Sequence, residues 1–269
     1  MSDVITERRG EVAWIRLNRE DRLNAYDQAM ADELIHAVRD SADAGVIVIT
    51  GSGRAFCAGG ALNNLSEPDP EELRGMFMNS LRFADEIRNS PRPVIAAVNG
   101  VAAGGGNELV IACDLAIAAR SATLLQTGPR VGSAPVLGGT NLLSVQIGEK
   151  RAKEVSMLCE KHTAEEALAW GWVNAVVDDE ELEDEVTRWA DRLLERSPRY
   201  LEIAKISSNV WWNACRDNVV SGLGMLVQAI GSEDMVEGAT AFLEQRPPRW
   251  PGRAYPDADG DRADGADDA

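Results

Sequence analysis

The spacing of apolar and polar positions changes several times along the 269-residue chain. "VITERRGEVAWIRLN" alternates on both sides of Gly10, which predicts two strands joined as a hairpin. Over residues 27–43 the apolar positions Met30, Leu34, Ile35 and Val38 recur at helical spacing. "GVIVIT", residues 45–50, is a continuous β-branched run of the kind a strand covered on both faces carries. A loop, "GSGRAFCAGGALNNLSEPDP", follows, and then a helix from about Pro70 to Asn89. "PRPVIAAVN" reads as a second buried strand, the glycines Gly104–Gly106 lead into a short helix, and "DLAIAA" reads as a third strand. This alternation predicts right-handed crossovers and a largely parallel sheet, an α/β fold.

From Gly138 onward the pattern turns mostly helical. Segments near 138–147, 149–159 and 163–169 precede a short strand in "WVNAVV", and long helices run from 179 to about 245. A shift in composition near residue 200 marks a C-terminal helical region. The expected division is a core over 1–197, a helical region over 198–250 and an acidic tail over 251–269. That tail carries six aspartates and one arginine after Arg253 and has almost nothing to bury, so it is expected to be solvated and disordered.

Composition narrows the partners. A formal charge of −17 argues against a nucleic-acid backbone or an anionic membrane. The four cysteines, Cys57, Cys113, Cys159 and Cys215, form no CxxC pair and no cluster with histidine, which suits free thiols in a reducing compartment. There is neither a basic region followed by an apolar run at the N-terminus nor an apolar segment of membrane-spanning length. A cytoplasmic protein is expected, and no residue pattern calls for a metal.

Candidate chemistry lies in "AFCAGGALNN" (55–64) and "VNGVAAGGGNEL" (98–109). Each places glycine where a strand ends, and glycine lets a backbone N–H approach a ligand with no Cβ in the way. Two such amides converging on one carbonyl oxygen would form an oxyanion hole. Tight turns explain glycines equally well. A dinucleotide site does not, because "GGGNEL" is not GxGxxG and lacks the acid that follows in such motifs. Glu108 sits behind the three glycines in an apolar run, where a carboxylate is costly to bury without a role.

"AFCAGG", "PRPVIAAVNG", "AAGGGNELVIACDLAIAA" and "GSAPVLGGT", in this order and spacing, resemble the crotonase (enoyl-CoA hydratase/isomerase) superfamily over roughly residues 10–247. The resemblance implies a crotonase-like spiral of ββα units with mainly parallel sheets, completed by a helical C-terminal trimerisation region. It implies an acyl-CoA thioester as substrate, with coenzyme A entering as part of it and no tightly bound cofactor. Matched position by position, the oxyanion amides fall on Gly60 and Gly105 and the proton-transferring acid on Glu108. "RLNAY", with Arg22, Leu23 and Ala25, resembles the loop along the CoA nucleotide, while Ala58, Gly60, Ala61 and Leu62 would hold the adenine and pantetheine side. Arg246 matches a basic C-terminal segment that reaches CoA phosphates across a trimer, with surface solvation the equal alternative. Trimers, often paired as hexamers, are the implied assembly.

The chain also departs from the family pattern. The hydratase's second glutamate falls on Gly128, and the aspartate common after the first glycine motif is Ala61. "QTGPRVGS", followed by "GEKRAKEVSMLC", looks like 1,4-dihydroxy-2-naphthoyl-CoA synthase and 2-ketocyclohexanecarboxyl-CoA hydrolase. Some of those synthases hold bicarbonate at the matching glycine, so a small polar space near Gly128, lined by Gln126 and Thr127, is expected to take water or such an anion. That subgroup's Asp, Tyr and Trp nevertheless fall on Pro135, Ile230 and Ser156, which does not support its ring-forming chemistry. Ser133 is placed either to cap a turn or to donate to substrate. With only His36 and His162 present and no nucleophile motif, a histidine-based triad is not expected. Trp170, Trp172, Trp211 and Trp212 are expected in the core or at a subunit interface. Three readings follow: hydration or double-bond shift by one glutamate; C–C bond formation or hydrolysis on a cyclic acyl-CoA; or a non-catalytic CoA-binding homologue.

Overall fold

The computed structural model of the chain describes residues 2–61 and 63–255. The N-terminal half opens with β1 (Val4–Arg9), β2 (Val12–Leu17), α1 (Gln28–Asp40), β3 (Val46–Gly51), β4 (Ala55–Cys57), α2 (Asn63–Ser66) and α3 (Pro70–Asn89). It continues through β5 (Val94–Val98), β6 (Val101–Ala103), α4 (Gly105–Ala112), β7 (Leu115–Ala119) and β8 (Thr123–Leu125). After these come α5 (Leu142–Ile147), α6 (Glu149–Leu158), β9 (His162–Thr163), α7 (Ala164–Trp170), β10 (Ala175–Val177), α8 (Leu182–Leu194), α9 (Pro198–Ser208), α10 (Val210–Gln228) and α11 (Glu233–Leu243).

The strands form two sheets. The larger has the order β1-β2-β3-β5-β7-β10, with β1 antiparallel to β2 and every other pair parallel. The smaller has the order β4-β6-β8-β9, with only β8–β9 antiparallel. Each of β3, β5 and β7 passes after a few residues into β4, β6 and β8, so successive turns of the chain lay one strand in each sheet. This is the repeating ββα spiral. Asn99 secures one of the corners: its Oδ1 accepts from Gly51 N at 2.9 Å and its Nδ2 donates to Gly53 O at 2.9 Å.

The buried strands are those with unbroken apolar runs, since β3 and β5 are enclosed along their whole length. α8 packs on β3, β5 and β7, while α1 lies against β1, β2 and α3 and buries Met30, Leu34, Ile35 and Val38. The start of α3 is dictated locally: Asp69 accepts from the amides of Glu71 and Glu72, and Pro70 occupies the first turn, where its missing N–H costs nothing.

Two expectations need correction. The segment 51–69 is not all loop, because it contains β4 and α2, and the whole smaller sheet lacked a sequence signal: its strands have two or three residues each. The helix expected from Gly138 begins only at Leu142; Gly138 and Gly139 stay outside it. Of the expected acidic tail, residues 256–269 lie outside the described residues.

The C-terminal helices pack on their own chain. Lys205 of α9 is 7% exposed; its Nζ donates to Ile87 O and Arg92 O, both at 2.7 Å, and pairs with Asp114 Oδ2 at 2.7 Å. Asn209 Nδ2 donates to Arg88 O at 2.7 Å, and Arg216 of α10 pairs with Asp85 of α3 at 2.7 Å. Among the described residues no helix is long and apolar enough to cross a membrane.

Candidate functional site

The two glycine segments come together because β4 and β6 are parallel neighbours in the smaller sheet. Their C-terminal ends therefore release Ala58–Gly60 and Gly104–Gly106 side by side. The first segment is fastened to residues 22–26 by three backbone bonds: Ala58 N to Leu23 O (3.0 Å), Tyr26 N to Gly59 O (2.9 Å) and Ala61 N to Tyr26 O (2.8 Å). The amide of Gly104 is used by Leu125 O at 3.0 Å. Among the described residues the amides of Gly60 and Gly105 have no acceptor. Gly105 is also the first residue of α4, whose opening turn leaves N–H groups without intrahelical partners.

Glu108 lies one turn into α4 and is 6% exposed. Its Oε1 accepts from Leu137 N at 2.7 Å and from Gly139 N at 3.2 Å, while Oε2 has no partner among the described residues. Burial pushes its carboxyl up to about 7, and the two amide bonds oppose that rise. A carboxyl balanced near neutrality, with one oxygen anchored and the other open, can both take and return a proton.

The loop that carries those amides is itself held. Ser156, where the subgroup has tryptophan, donates its hydroxyl to Gly139 O at 2.9 Å. Ser133 N donates to Gly128 O at 2.8 Å, and Ser133 Oγ has no partner among the described residues. The Ser133 turn rests on α11, where Gly132 and Gly238 meet backbone to backbone. Ser133, Ala134 and Val136 form one wall of a cavity of about 560 Å³, faced by Gly222, Met225 and Leu226 of α10. Trp250 and Arg253 border it. Leu137, the next residue after Val136, is the anchor of Glu108.

The position beside Gly128 has no room for a side chain. Gly128 is buried, and a Cβ on it would stand 2.8 Å from Ala134 Cα and 2.9 Å from Pro135 Cδ. The nearby polar group is Gln126, fully buried, with no partner in the described structure for either amide atom. Among the residues expected to hold CoA, Arg22 is exposed, Leu23, Ala25, Ala58 and Ala61 are half-buried on the two laced segments, and Leu62 lies outside the described residues. Arg246 pairs within its own chain with Glu237 (2.6 Å) and Glu244 (2.7 Å). His36 lies on the exposed face of α1, and His162 packs against Trp170 and Trp172, so neither joins Glu108. Trp172 and Trp212 are buried and Trp211 is 56% exposed.

Two residues at the site escaped the sequence reading. Asn24, fully buried, donates to Ser52 O (2.9 Å) and Ala55 O (2.8 Å) and accepts from Arg19 N (2.9 Å). It thereby clamps the 22–26 loop onto β4. It does so in the left-handed region, at φ 57°, which asparagine tolerates better than most residues. Tyr26 lies between the two glycine segments.

The model of the family described as enoyl-CoA hydratase/isomerase matches residues 7–253. The chain belongs to this family. A carnitinyl-CoA hydratase from Mycobacterium avium is 31% identical, over 94% of this chain and 100% of that one, with a TM-score of 0.82. An enoyl-CoA hydratase from Geobacillus kaustophilus HTA426 is 36% identical, over 93% of this chain and 98% of that one, with a TM-score of 0.72. A third, an enoyl-CoA hydratase from Mycobacterium avium subsp. paratuberculosis K-10, is 29% identical over 92% and 98%, with a TM-score of 0.81. As a family member the chain is an enzyme of the enoyl-CoA hydratase/isomerase type, acting on acyl-CoA, and its two-sheet spiral with C-terminal helices is the crotonase fold.

Proposed function

We propose that the protein moves a proton at the carbons next to the carbonyl of an acyl-CoA thioester, as a hydratase or a double-bond isomerase. The observation that carries this reading is the state of Glu108: one oxygen held by two backbone amides, the other without a partner among the described residues, three residues after Gly105 on α4. A thioester oxygen between Gly60 N–H and Gly105 N–H would gain hydrogen bonds that strengthen as negative charge develops on it. That polarisation makes the α-proton acidic and the β-carbon electrophilic. In hydration, Glu108 takes a proton from water as the oxygen bonds to the β-carbon, and then returns that proton to the α-carbon as the enolate collapses. In isomerisation the same carboxylate removes a proton at one end of the allylic system and delivers it at the other. Both cycles balance with a single carboxylate, which suits a chain with glycine at position 128.

A second reading, C–C bond formation or hydrolysis on a cyclic acyl-CoA, is favoured by the cavity of about 560 Å³ beside Ser133, a volume within the range of pockets for drug-sized ligands. Pro135 and Ile230, in place of that subgroup's acid and tyrosine, weigh against it. Retention of Glu108 and both amides weighs against a non-catalytic homologue. Coenzyme A would enter as part of the substrate, along the laced segments 22–26 and 58–61, and a homotrimer or hexamer would bury the exposed side chains of α9 and α10. Three buried cysteines and a half-buried one, all free, suit a reducing cytoplasm.

The test is turnover of a panel containing crotonyl-CoA, a medium-chain enoyl-CoA and a cyclic 2-ketoacyl-CoA. Release of free CoA or ring opening only from the cyclic substrate would select the second reading. No turnover of any thioester would defeat both.

A further inference from the structure

Tyr26 adjoins both glycine segments, through its backbone at Gly59 and Ala61 and through its side chain at Gly105. Its N–H and C=O bond to Gly59 O and Ala61 N, an isolated parallel bridge centred on Gly60. In such a bridge the facing residue keeps its own N–H and C=O for the opposite side. The Gly60 amide is therefore turned away from Tyr26, where it meets no acceptor among the described residues.

The side chain runs on to the second segment. The ring stands edge-on to Phe83, with centroids 5.5 Å apart and planes at 89°. Ser80 Oγ donates to Met76 O at 2.9 Å, so across the 3.1 Å to Ser80 Oγ the Tyr26 hydroxyl donates. Oη stands only 2.1 Å from where a Cβ on Gly105 would be built, and Tyr26 Cζ is 2.9 Å from that same point. The glycine at 105 is thus a consequence of the tyrosine at 26. Met76 lies one turn before Ser80 on α3, and its Cε is 3.2 Å from the corresponding point on Gly60. Tyr26 is only 7% exposed, so its phenol is removed from bulk water. Burial also raises its pKa, which keeps it neutral beside any developing enolate.

We propose that Tyr26 is a positioning residue that sets the separation and angle of the Gly60 and Gly105 amides, its backbone holding one and its Ser80-tethered hydroxyl propping the other. This rests on the reading of those amides as donors to a thioester oxygen. A tyrosine that only filled the core would also be buried and bonded to Ser80. It would have no influence on how strongly the amides polarise a bound carbonyl.

The decisive variant is Tyr26→Phe, which removes one oxygen and keeps the ring against Phe83. The probe is cinnamoyl-CoA, whose conjugated thioester reports polarisation as a lowered carbonyl stretch in Raman difference spectra. Wild-type protein should lower that frequency. Tyr26→Phe should lose about half of the shift and about tenfold in kcat on the best substrate of the panel, with KM within about twofold and an unchanged melting temperature. Ser80→Ala should move both readouts in the same direction, and the double variant should be no worse than Tyr26→Phe, as expected for two members of one linkage. A wild-type shift retained in full by Tyr26→Phe overturns the role of Tyr26 and leaves the amides in place. No shift in wild-type protein overturns the reading of the amides and the role of Tyr26 with it. Should Tyr26→Phe not fold, the shift in Ser80→Ala decides: a full shift there overturns the proposal.

Discussion

Leu137 donates its backbone amide to Glu108 Oε1 across 2.7 Å, from a position 29 residues further along the chain. With Gly139 N as the second donor, the carboxylate is held entirely by main chain. An amide side chain can keep that anchorage. Glu108→Gln is therefore expected to bind CoA thioesters within a few-fold of wild type and to lose roughly two to four orders of magnitude in rate. Steady-state kinetics and calorimetric titration check this, and a variant that turns over within a few-fold of wild type would make Glu108 a structural carboxylate.

The pH dependence follows from the same residue. Burial raises the native carboxyl from its usual 4.5 to about 7. A step in which Glu108 acts as base should gain rate as pH rises through about 7, and a step in which it acts as acid should lose rate over the same interval. Stability moves as well. The native state holds a proton that the unfolded chain has already released, so this contribution is intact below about 4.5 and is lost as pH rises through about 7. The difference is about 3 kcal/mol at most. Glu108→Gln does not titrate, and it should gain on wild type in urea unfolding between pH 5 and pH 8. An unchanged difference at the two pH values would rule this out.

Gly128 offers no room for the carboxylate that the second hydratase acid would supply. Because its Cβ would press on Ala134 and Pro135, Gly128→Glu should destabilise the fold by at least about 1–3 kcal/mol and add no hydratase activity. Whether the unpartnered amide of Gln126 nearby serves a small anion is read from rates with and without added bicarbonate. Coincident rates would remove the anion, and a rate that rises with bicarbonate would support it.

Lys205 and Asp114 join α9 to the end of α4 through a pair that is nearly enclosed on the lysine side. Burial lowers the lysine's pKa although Asp114 opposes this, so the ammonium depends on its partners. Lys205→Met should cost about 3 kcal/mol, because Asp114 is left behind without its cation. Denaturant unfolding of the full chain measures it, and a loss under about 1 kcal/mol would mean that Asp114 rehydrates.

Tyr200, Ile203 and Ile206 of α9, with Val210 and Trp211 of α10, are all more than 40% exposed. An apolar surface of this extent is expected to be covered by further copies of the chain, and a stable interface of that kind takes ~2,000 Å² or more. Truncation before Pro198 should abolish assembly and activity together. The acidic end should be removable after Tyr255, whose hydroxyl accepts from Trp250 N at 2.6 Å at the border of the cavity. Light scattering is the direct check, and a stable, active monomer at micromolar concentration would defeat the expectation.

What could be read from the residues alone was whatever depends on neighbours in the chain. The helix Pro70–Asn89 has its cap, its proline and its apolar stripe within one segment, and β3 and β5 are β-branched or apolar along their whole length. Glu108 behind Gly104–Gly106 stood out for a similar reason, since a carboxylate in an apolar run is a local anomaly, whereas Gly60 and Gly105 were singled out by resemblance to the family motifs. The smaller sheet left no such trace, because a strand of three residues has too few positions to show a period and is stabilised by pairing with strands remote in sequence. Tertiary structure alone decided that β4 and β6 run side by side, that Leu137 and Gly139 hold Glu108, and that Gly128 faces a wall. It also brought Tyr26 between two glycine segments, one 34 and the other 79 residues further on. Those contacts join groups far apart along the chain, and the free energy that selects them comes from packing the whole core around them.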